Sequence, residues 1–130
     1  FTGEDGICTY IPSQADSYIN ASDSCKVHGG VLVTMKTSLK QQLVADALNK
    51  RPVWNNWLWI GLDDMQQEGT FIWSDGATCT VDEQNLLFYG GKPSPRTREE
   101  DCAVLSKSTF LVNDVICTYK YSYICEIKNF

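Results

Sequence analysis

The 130-residue sequence lacks several features that would assign it to common functional classes. It contains no apolar run close to the roughly 18 residues that a membrane span requires. Its single histidine, His28, precedes Gly29-Gly30, so we expect a residue at a helix end rather than a catalytic base. It has no Cys-X-X-Cys pair with the spacing of zinc ligands. These absences argue against a membrane span, a histidine-dependent enzyme and a zinc module.

Basic residues are also scarce. The chain has 11 Lys and Arg against 16 Asp and Glu, which gives a net charge of −5. Nucleic-acid binding needs clustered bases, so we expect no nucleic-acid partner. Six cysteines instead predict an oxidising compartment. The chain begins at Phe1 without a leader, which we interpret as a mature, secreted, extracellular product. Asn20-Ala21-Ser22 has the pattern of an N-glycosylation acceptor, although such triplets also arise by chance.

Hydrophobic periodicity predicts a strand, two helices and then further strands, which is an α+β order rather than repeated βαβ units. An apolar run ended by Pro12 predicts an edge strand over residues 7–11. A capping-box pattern at Ser38 to Gln41 opens the second helix. The buried positions predicted for the two helices are Tyr18, Ala21 and Cys25 in the first, and Leu39, Leu43, Ala47 and Leu48 in the second. The later strands are predicted over residues 57–62, 70–74, 102–105, 110–113 and 119–127.

Residues 85–98 show little periodicity and predict a long loop, and long loops in compact domains are usually functional. The loop carries the bases Lys92, Arg96 and Arg98 and is followed by the acids 99–101 and by Cys102. We interpret Arg96 and Arg98 as solvated charges at the rim. Polar side chains on a loop held by a rigid scaffold are typical of a binding site.

Several motifs occur in a fixed order along the chain. They are Trp59-Ile60-Gly61-Leu62, Trp73-Ser74-Asp75-Gly76, Glu100-Asp101-Cys102, Asn113-Asp114 and Tyr123-Ile124-Cys125-Glu126. With a first helix that ends near Cys25 and Gly29-Gly30, this order resembles the C-type lectin-like domain over nearly the whole chain. The resemblance implies one domain over 1–130, with two helices, small antiparallel sheets and a long loop. It also implies the disulfides Cys25–Cys125 and Cys102–Cys117.

Two cysteines, Cys8 and Cys79, are left over by this pairing. The family's layout places them toward opposite ends of the domain, so a bond between them looks geometrically difficult. We therefore predict that at least one of them joins another chain in a disulfide-linked homo- or heterodimer. The alternatives are an internal bond or a buried thiol.

The resemblance also implies where ligands bind. In sugar-binding members, a Glu-Pro-Asn or Gln-Pro-Asp motif, a later Glu and an Asn-Asp pair hold a calcium ion that binds sugar hydroxyls. The matching positions here are Lys92-Pro93-Ser94, Glu100 and Asn113-Asp114, with Val112 where the family has Trp. An ammonium offers no lone pair to a metal. Its repulsion of a divalent ion about 4 Å away is on the order of 8 kcal/mol, so we predict that this principal calcium site is empty.

The same positions can hold a sugar without a metal. Lys92 would occupy the place of the ion, and the predicted sugar-binding residues are Lys92, Ser94, Glu100, Asn113 and Asp114. We expect a lectin that binds glycans directly, with a preference for N-acetylated sugars, and Phe88 or Tyr89 as an apolar face. The alternative is a solvated Lys92 in a protein-binding member of the family that has lost sugar binding. Neither alternative is an enzyme, because no nucleophile and base stand out.

An auxiliary calcium site of the family matches a second acidic set, namely Asp64, Glu68, Glu100 and Asp101. Converging carboxylates repel one another unless a cation or a proton joins them. Pro95, however, stands where the family supplies an Asn ligand, and a solvated acidic turn is the alternative. We therefore expect no required cofactor, with calcium in a supporting role at this second site.

Overall fold

The computed structural model describes residues 7–12, 14–50, 57–66, 70–80, 82–83, 87 and 102–128. Within them the chain forms two helices and eight strands, which confirms the predicted α+β order. The elements are β1 (Ile7–Tyr10), α1 (Tyr18–Val27), β2 (Val31–Leu32), α2 (Ser38–Lys50), β3 (Trp57–Asp63), β4 (Ile72–Trp73), β5 (Cys102–Ser106), β6 (Val112–Val115), β7 (Ser122–Tyr123) and β8 (Cys125–Lys128).

The strands form two sheets. The first has the order β1-β8-β2 and is antiparallel, so β8, near the end of the chain, lies in its centre and β1 is an edge strand as predicted. The second has the order β4-β3-β5-β6. Its neighbours are antiparallel, but β7 pairs with β3 in parallel, which the expectation of antiparallel sheets did not include. The second sheet carries the candidate site.

Helix α1 buries the three positions predicted from its spacing. Tyr18, Ala21 and Cys25 are all buried, and Cys25 forms the predicted disulfide with Cys125 of β8. The helix ends where the amide of Gly30 donates to the carbonyl of Cys25 at 2.9 Å. Gly29 adopts a φ of 85°, which is costly for residues with a Cβ. The sequence signal for this helix was therefore accurate at its buried face and at its end.

Helix α2 corrects the prediction in two ways. The hydroxyl of Thr37 accepts the amide of Lys40 at 3.1 Å, so the cap lies one residue before the predicted Ser38. The buried face consists of Val44, Ala47 and Leu48. Leu39 is exposed and Leu43 is half-buried. Leu39 lies five residues before Val44, about 140° around a helix with 3.6 residues per turn, so it points away from the core.

Gly61 explains why the Trp-Ile-Gly-Leu and Trp-Ser-Asp-Gly motifs occur together. Its amide donates to the carbonyl of Val33 at 2.7 Å, and its carbonyl accepts the amide of Ser74 at 2.8 Å. A Cβ at Gly61 would lie 2.5 Å from both the Leu32 carbonyl oxygen and Ser74 Oγ. Glycine therefore allows β3 to approach β2 and the end of β4 closely.

A buried ion pair joins α2 to β8. Lys40 Nζ donates to Glu126 Oε2 at 2.6 Å, and the two side chains are only 12% and 6% exposed. Glu126 Oε1 also accepts the amide of Thr34 at 2.7 Å and its hydroxyl at 3.0 Å. The carboxylate thus has three donors, which compensate for the loss of water around a buried charge.

We predict that Glu126→Ala lowers the free energy of unfolding by about 3–5 kcal/mol, because it leaves the Lys40 ammonium buried without its partner. The matched control is Asp75→Ala, which removes the more exposed pair with Lys36, whose side chains are 31% and 40% exposed. That change is expected to cost about 0–1 kcal/mol. Chemical denaturation measures both. Equal losses in the two variants would contradict the importance given to burial.

Candidate functional site

The described part of the predicted site lies at one end of the second sheet, where β3, β5 and β6 are neighbours, and the predicted loop over residues 85–98 lies outside the described residues except for Leu87. Cys102, the first residue of β5, follows the acidic residues 99–101 in sequence. It is paired with Asp63 at the end of β3 and with Val115 of β6. The predicted disulfide Cys102–Cys117 is present and closes a 15-residue separation. A disulfide that closes a segment of this length contributes about 3 kcal/mol to stability in a chain-entropy model. This disulfide also joins the start of β5 to the segment after β6.

Strand β6 holds two of the predicted sugar-binding residues. Asn113 lies opposite Val104, and Asp114 lies opposite Ala103. Burial alternates along β6, so that Asp114 is fully buried and Asn113 is half-buried on the other side of the strand. The Oδ1 atom of Asn113 is itself buried and has no hydrogen-bond partner within the described part of the chain.

The other predicted sugar-binding residues, Lys92, Ser94 and Glu100, lie outside the described residues. So do Glu68 and Asp101 of the predicted auxiliary calcium site. The structure therefore places Asn113 and Asp114 next to each other along β6. The assignment of Lys92, Ser94 and Glu100 to the same site stays a prediction from the sequence.

Asp64 follows β3 directly and is only 4% exposed. A carboxylate this buried needs hydrogen-bond donors or a cation. Its neighbour Asp63 has a different role, because its Oδ2 accepts the hydroxyl of Tyr18 at 2.7 Å. Burial raises the pKa of Tyr18, and the Asp63 carboxylate raises that pKa further, so the phenol stays a donor. Asp63 thus ties α1 to the strand that leads to Asp64.

Glu83 is a residue near the loop entrance that the sequence prediction missed. Its carboxylate accepts the amide of Thr80 at 2.8 Å, and its own amide donates to Thr80 Oγ1 at 3.1 Å. The same carboxylate accepts the indole N–H of Trp73 at 3.4 Å. The Thr-X-X-Glu spacing is a capping-box signal that the sequence did contain.

Cys79 is packed in an apolar cluster with Phe71, Trp73 and Leu87 and is 3% exposed. Burial, and then the nearby Glu83 carboxylate, raise the pKa of its thiol to about 12. This environment does not suit a disulfide to another chain. Of the two cysteines predicted to link a dimer, this leaves Cys8, whose backbone lies on edge strand β1. Its side chain lies outside what the structure describes, so the dimer stays a prediction.

We predict that Cys79 reacts slowly with iodoacetamide at pH 8, because a thiol with a pKa near 12 is ionised to only about one part in 10,000 at that pH. The measurement uses Cys8→Ser protein, native and in guanidinium chloride, with labelling followed by mass spectrometry. Labelling is expected to become fast only on unfolding. Equally fast labelling of the native protein would contradict the burial of Cys79.

Comparison with known proteins identifies the fold that carries this site. The family model described as "Lectin C-type domain" matches residues 14–127. This chain belongs to the C-type lectin domain family. The C-type lectin fold, with two helices, antiparallel sheets and two disulfides, is therefore confirmed. The family model describes a lectin domain, which is the class that the sequence analysis expected rather than an enzyme.

Three relatives illustrate the likeness of this C-type lectin domain to known proteins. Hepatic lectin of Gallus gallus is 33% identical over 123 residues, which cover 94% of this chain and 55% of that protein. Human lithostathine superposes with a TM-score of 0.83 at 27% identity, covering 95% of this chain and 85% of that chain. The carbohydrate-recognition domain of cow CD23, solved in the presence of a GlcNAc2Man3 oligosaccharide, gives 0.78 at 28% identity, covering 96% and 90%.

The C-type lectin domain is only part of the curated proteins that it matches. The chain spans 33%, 48% and 55% of three of them, which are a mouse immunoglobulin epsilon Fc receptor, a mouse CD209 antigen-like protein and the hepatic lectin. Among the described residues, no helix has the length and hydropathy needed to cross a membrane.

Proposed function

We propose that this C-type lectin domain is a secreted, carbohydrate-binding module that holds sugars by direct hydrogen bonds, without calcium at the principal site. The observation that carries the proposal is the buried Oδ1 of Asn113, which lacks a hydrogen-bond partner among the described residues. A buried acceptor left in this state costs about 1–3 kcal/mol. A hydroxyl or acetamido N–H of a bound sugar would satisfy it.

The charges at the site favour a sugar over a calcium ion. Calcium needs six to eight oxygen ligands, several of them anionic. Lys92 supplies a positive charge and no lone pair at a position where the family has a calcium ligand. The donor set therefore does not fit the principal calcium ion of the family. Lys92 would instead neutralise part of the charge of Glu100 and the buried Asp114.

The remaining groups suit an N-acetylated sugar. Lys92 and Ser94 offer donors to hydroxyl and acetamido oxygens, and Asn113, Asp114 and Glu100 offer acceptors. The oligosaccharide present with the cow CD23 domain supports a glycan as the ligand class for this fold. A dimer linked through Cys8 would add avidity to weak single-site binding.

The family resemblance also suggests a second cation site. Asp64 is buried at the end of β3, beside the Asp63–Cys102 pair of the sheet. Calcium held by Asp64, Glu68, Glu100 and Asp101 would neutralise these carboxylates and stabilise the loop base. This role is structural, and sugar binding does not depend on it.

We predict that glycan binding on an array persists in the presence of a chelator and that Lys92→Ala weakens it at least about 10-fold. The reason is that Lys92 supplies charge-assisted hydrogen bonds, each contributing about 1.5–3 kcal/mol. Lys107→Ala, on an exposed turn, is the matched control and is expected to leave affinity unchanged. Signal that appears only with calcium would contradict the proposal. Absence of signal in both conditions would favour a protein-binding domain that has lost sugar binding.

We predict that calorimetric titration of calcium into chelator-stripped protein shows at most one ion, because Lys92 blocks the principal site. Asp64→Asn is expected to remove that ion, since it removes one of the auxiliary carboxylates. Asp82→Asn, an exposed acid outside both predicted sites, serves as the control. Tight binding of two ions would overturn the assignment of the principal site.

A further inference from the structure

The triplet Asn20-Ala21-Ser22 is left unused by the proposed sugar site. It is the chain's only Asn-X-Ser/Thr sequence with X other than proline. The structure places it in the first half of α1, with Ala21 fully buried and Asn20 exposed. We propose that Asn20 carries an N-linked glycan, which is attached before α1 folds.

The folded helix has room for the modification. Asn20 Nδ2 carries two hydrogens, and one of them is donated to Asp16 Oδ1 at 3.1 Å on the exposed side of the helix. Glycosylation replaces one amide hydrogen and keeps the other, so the bond to Asp16 can be retained. The attached sugar then extends into solvent, while the buried face formed by Tyr18, Ala21 and Cys25 is undisturbed.

Asn20 in the folded helix is nevertheless a poor acceptor for transfer of an oligosaccharide. Residues i and i+2 do not face one another on a helix, so the Ser22 hydroxyl lies away from the Asn20 side chain. In an extended segment, residues i and i+2 lie on the same face, so an unfolded triplet can present both side chains together. Transfer therefore has to precede formation of α1.

The contacts of α1 indicate that the helix forms late enough for the glycan to be transferred first. A helix of 10 residues is marginal on its own, so α1 depends on tertiary partners. These partners follow α1 in the chain, from Asp63, which accepts the hydroxyl of Tyr18, to Cys117, which accepts the amide of Tyr18, and Tyr123, which donates to Ser24 Oγ. The disulfide partner of Cys25 follows it by 100 residues. At 5–20 residues per second, that stretch takes about 5–20 s to synthesise.

The transfer requires one co-substrate, an oligosaccharide joined to an isoprenoid diphosphate. The amide nitrogen of Asn20 bonds to the anomeric carbon of the first N-acetylglucosamine and loses one proton. The bond from that carbon to the diphosphate oxygen breaks, and the isoprenoid diphosphate leaves with the electron pair. The oxidising compartment indicated by the two disulfides is consistent with entry into the secretory pathway, where this donor is found.

The first test is to secrete the full chain from cultured animal cells and measure its intact mass before and after peptide-N-glycosidase treatment. The enzyme is expected to remove the mass of one glycan and to convert Asn20 to Asp. Asn20→Gln and Ser22→Ala should each abolish the glycan, and Ser22→Thr should retain it. An unmodified secreted chain, or a glycan that survives in Asn20→Gln, would overturn the proposal.

The second test addresses timing. Unglycosylated chain made in bacteria is supplied to microsomal oligosaccharyltransferase and its lipid-linked donor, either oxidised and folded or reduced and unfolded. Modification is expected only in the unfolded sample, and equal modification of both would overturn the proposed order of events. Neither test depends on whether the domain binds sugars. The outcomes of both tests are therefore independent of the proposed function.

Discussion

The carboxylate of Glu126 is the contact on which the arrangement of the first half of the chain depends. It lies on β8, in the centre of the smaller sheet, and it accepts hydrogen bonds from Thr34 and Lys40. Its neighbour Cys125 is bonded to α1. Strand β8 therefore sets the positions of both helices and of the segment after β2. Because the charge is buried, each missing donor would leave an uncompensated cost, which makes this arrangement specific as well as stable.

The larger sheet is built on the smaller one through the segment after β2. Val33 accepts the amide of Gly61, and Ser74 donates to the carbonyl of Leu32, so β3 and β4 are aligned with the strand beside β8. Strands β5 and β6 extend that sheet and carry Asn113 and Asp114. The sheet that carries Asn113 and Asp114 is thus joined by hydrogen bonds to the segment beside the smaller sheet.

The sequence predicted most elements because their signals are local. The burial of Tyr18, Ala21 and Cys25 follows from helical spacing, and both disulfides follow from the family resemblance. The errors occurred where distant contacts decide between local options. Thr37 and Ser38 are both residue types that cap helices, so the local pattern alone does not choose between them, and the structure has Thr37 as the cap. The Lys40–Glu126 pair joins residues 86 positions apart, which no periodicity reveals. Of the proposed sugar-binding residues, Asn113 and Asp114 are positioned by β6, while Lys92, Ser94 and Glu100 are assigned by their motif alone.

The pairing of Ile7 with Lys128 has a consequence for how this fold is used in larger proteins. Polypeptide joined to either end departs from the same pair of adjacent strands. The sheet that bears Asn113 contains neither of these strands. The fold can therefore be attached to a stalk, or repeated along one chain, with both connections at one end of the smaller sheet and without a connector that crosses the sheet bearing Asn113.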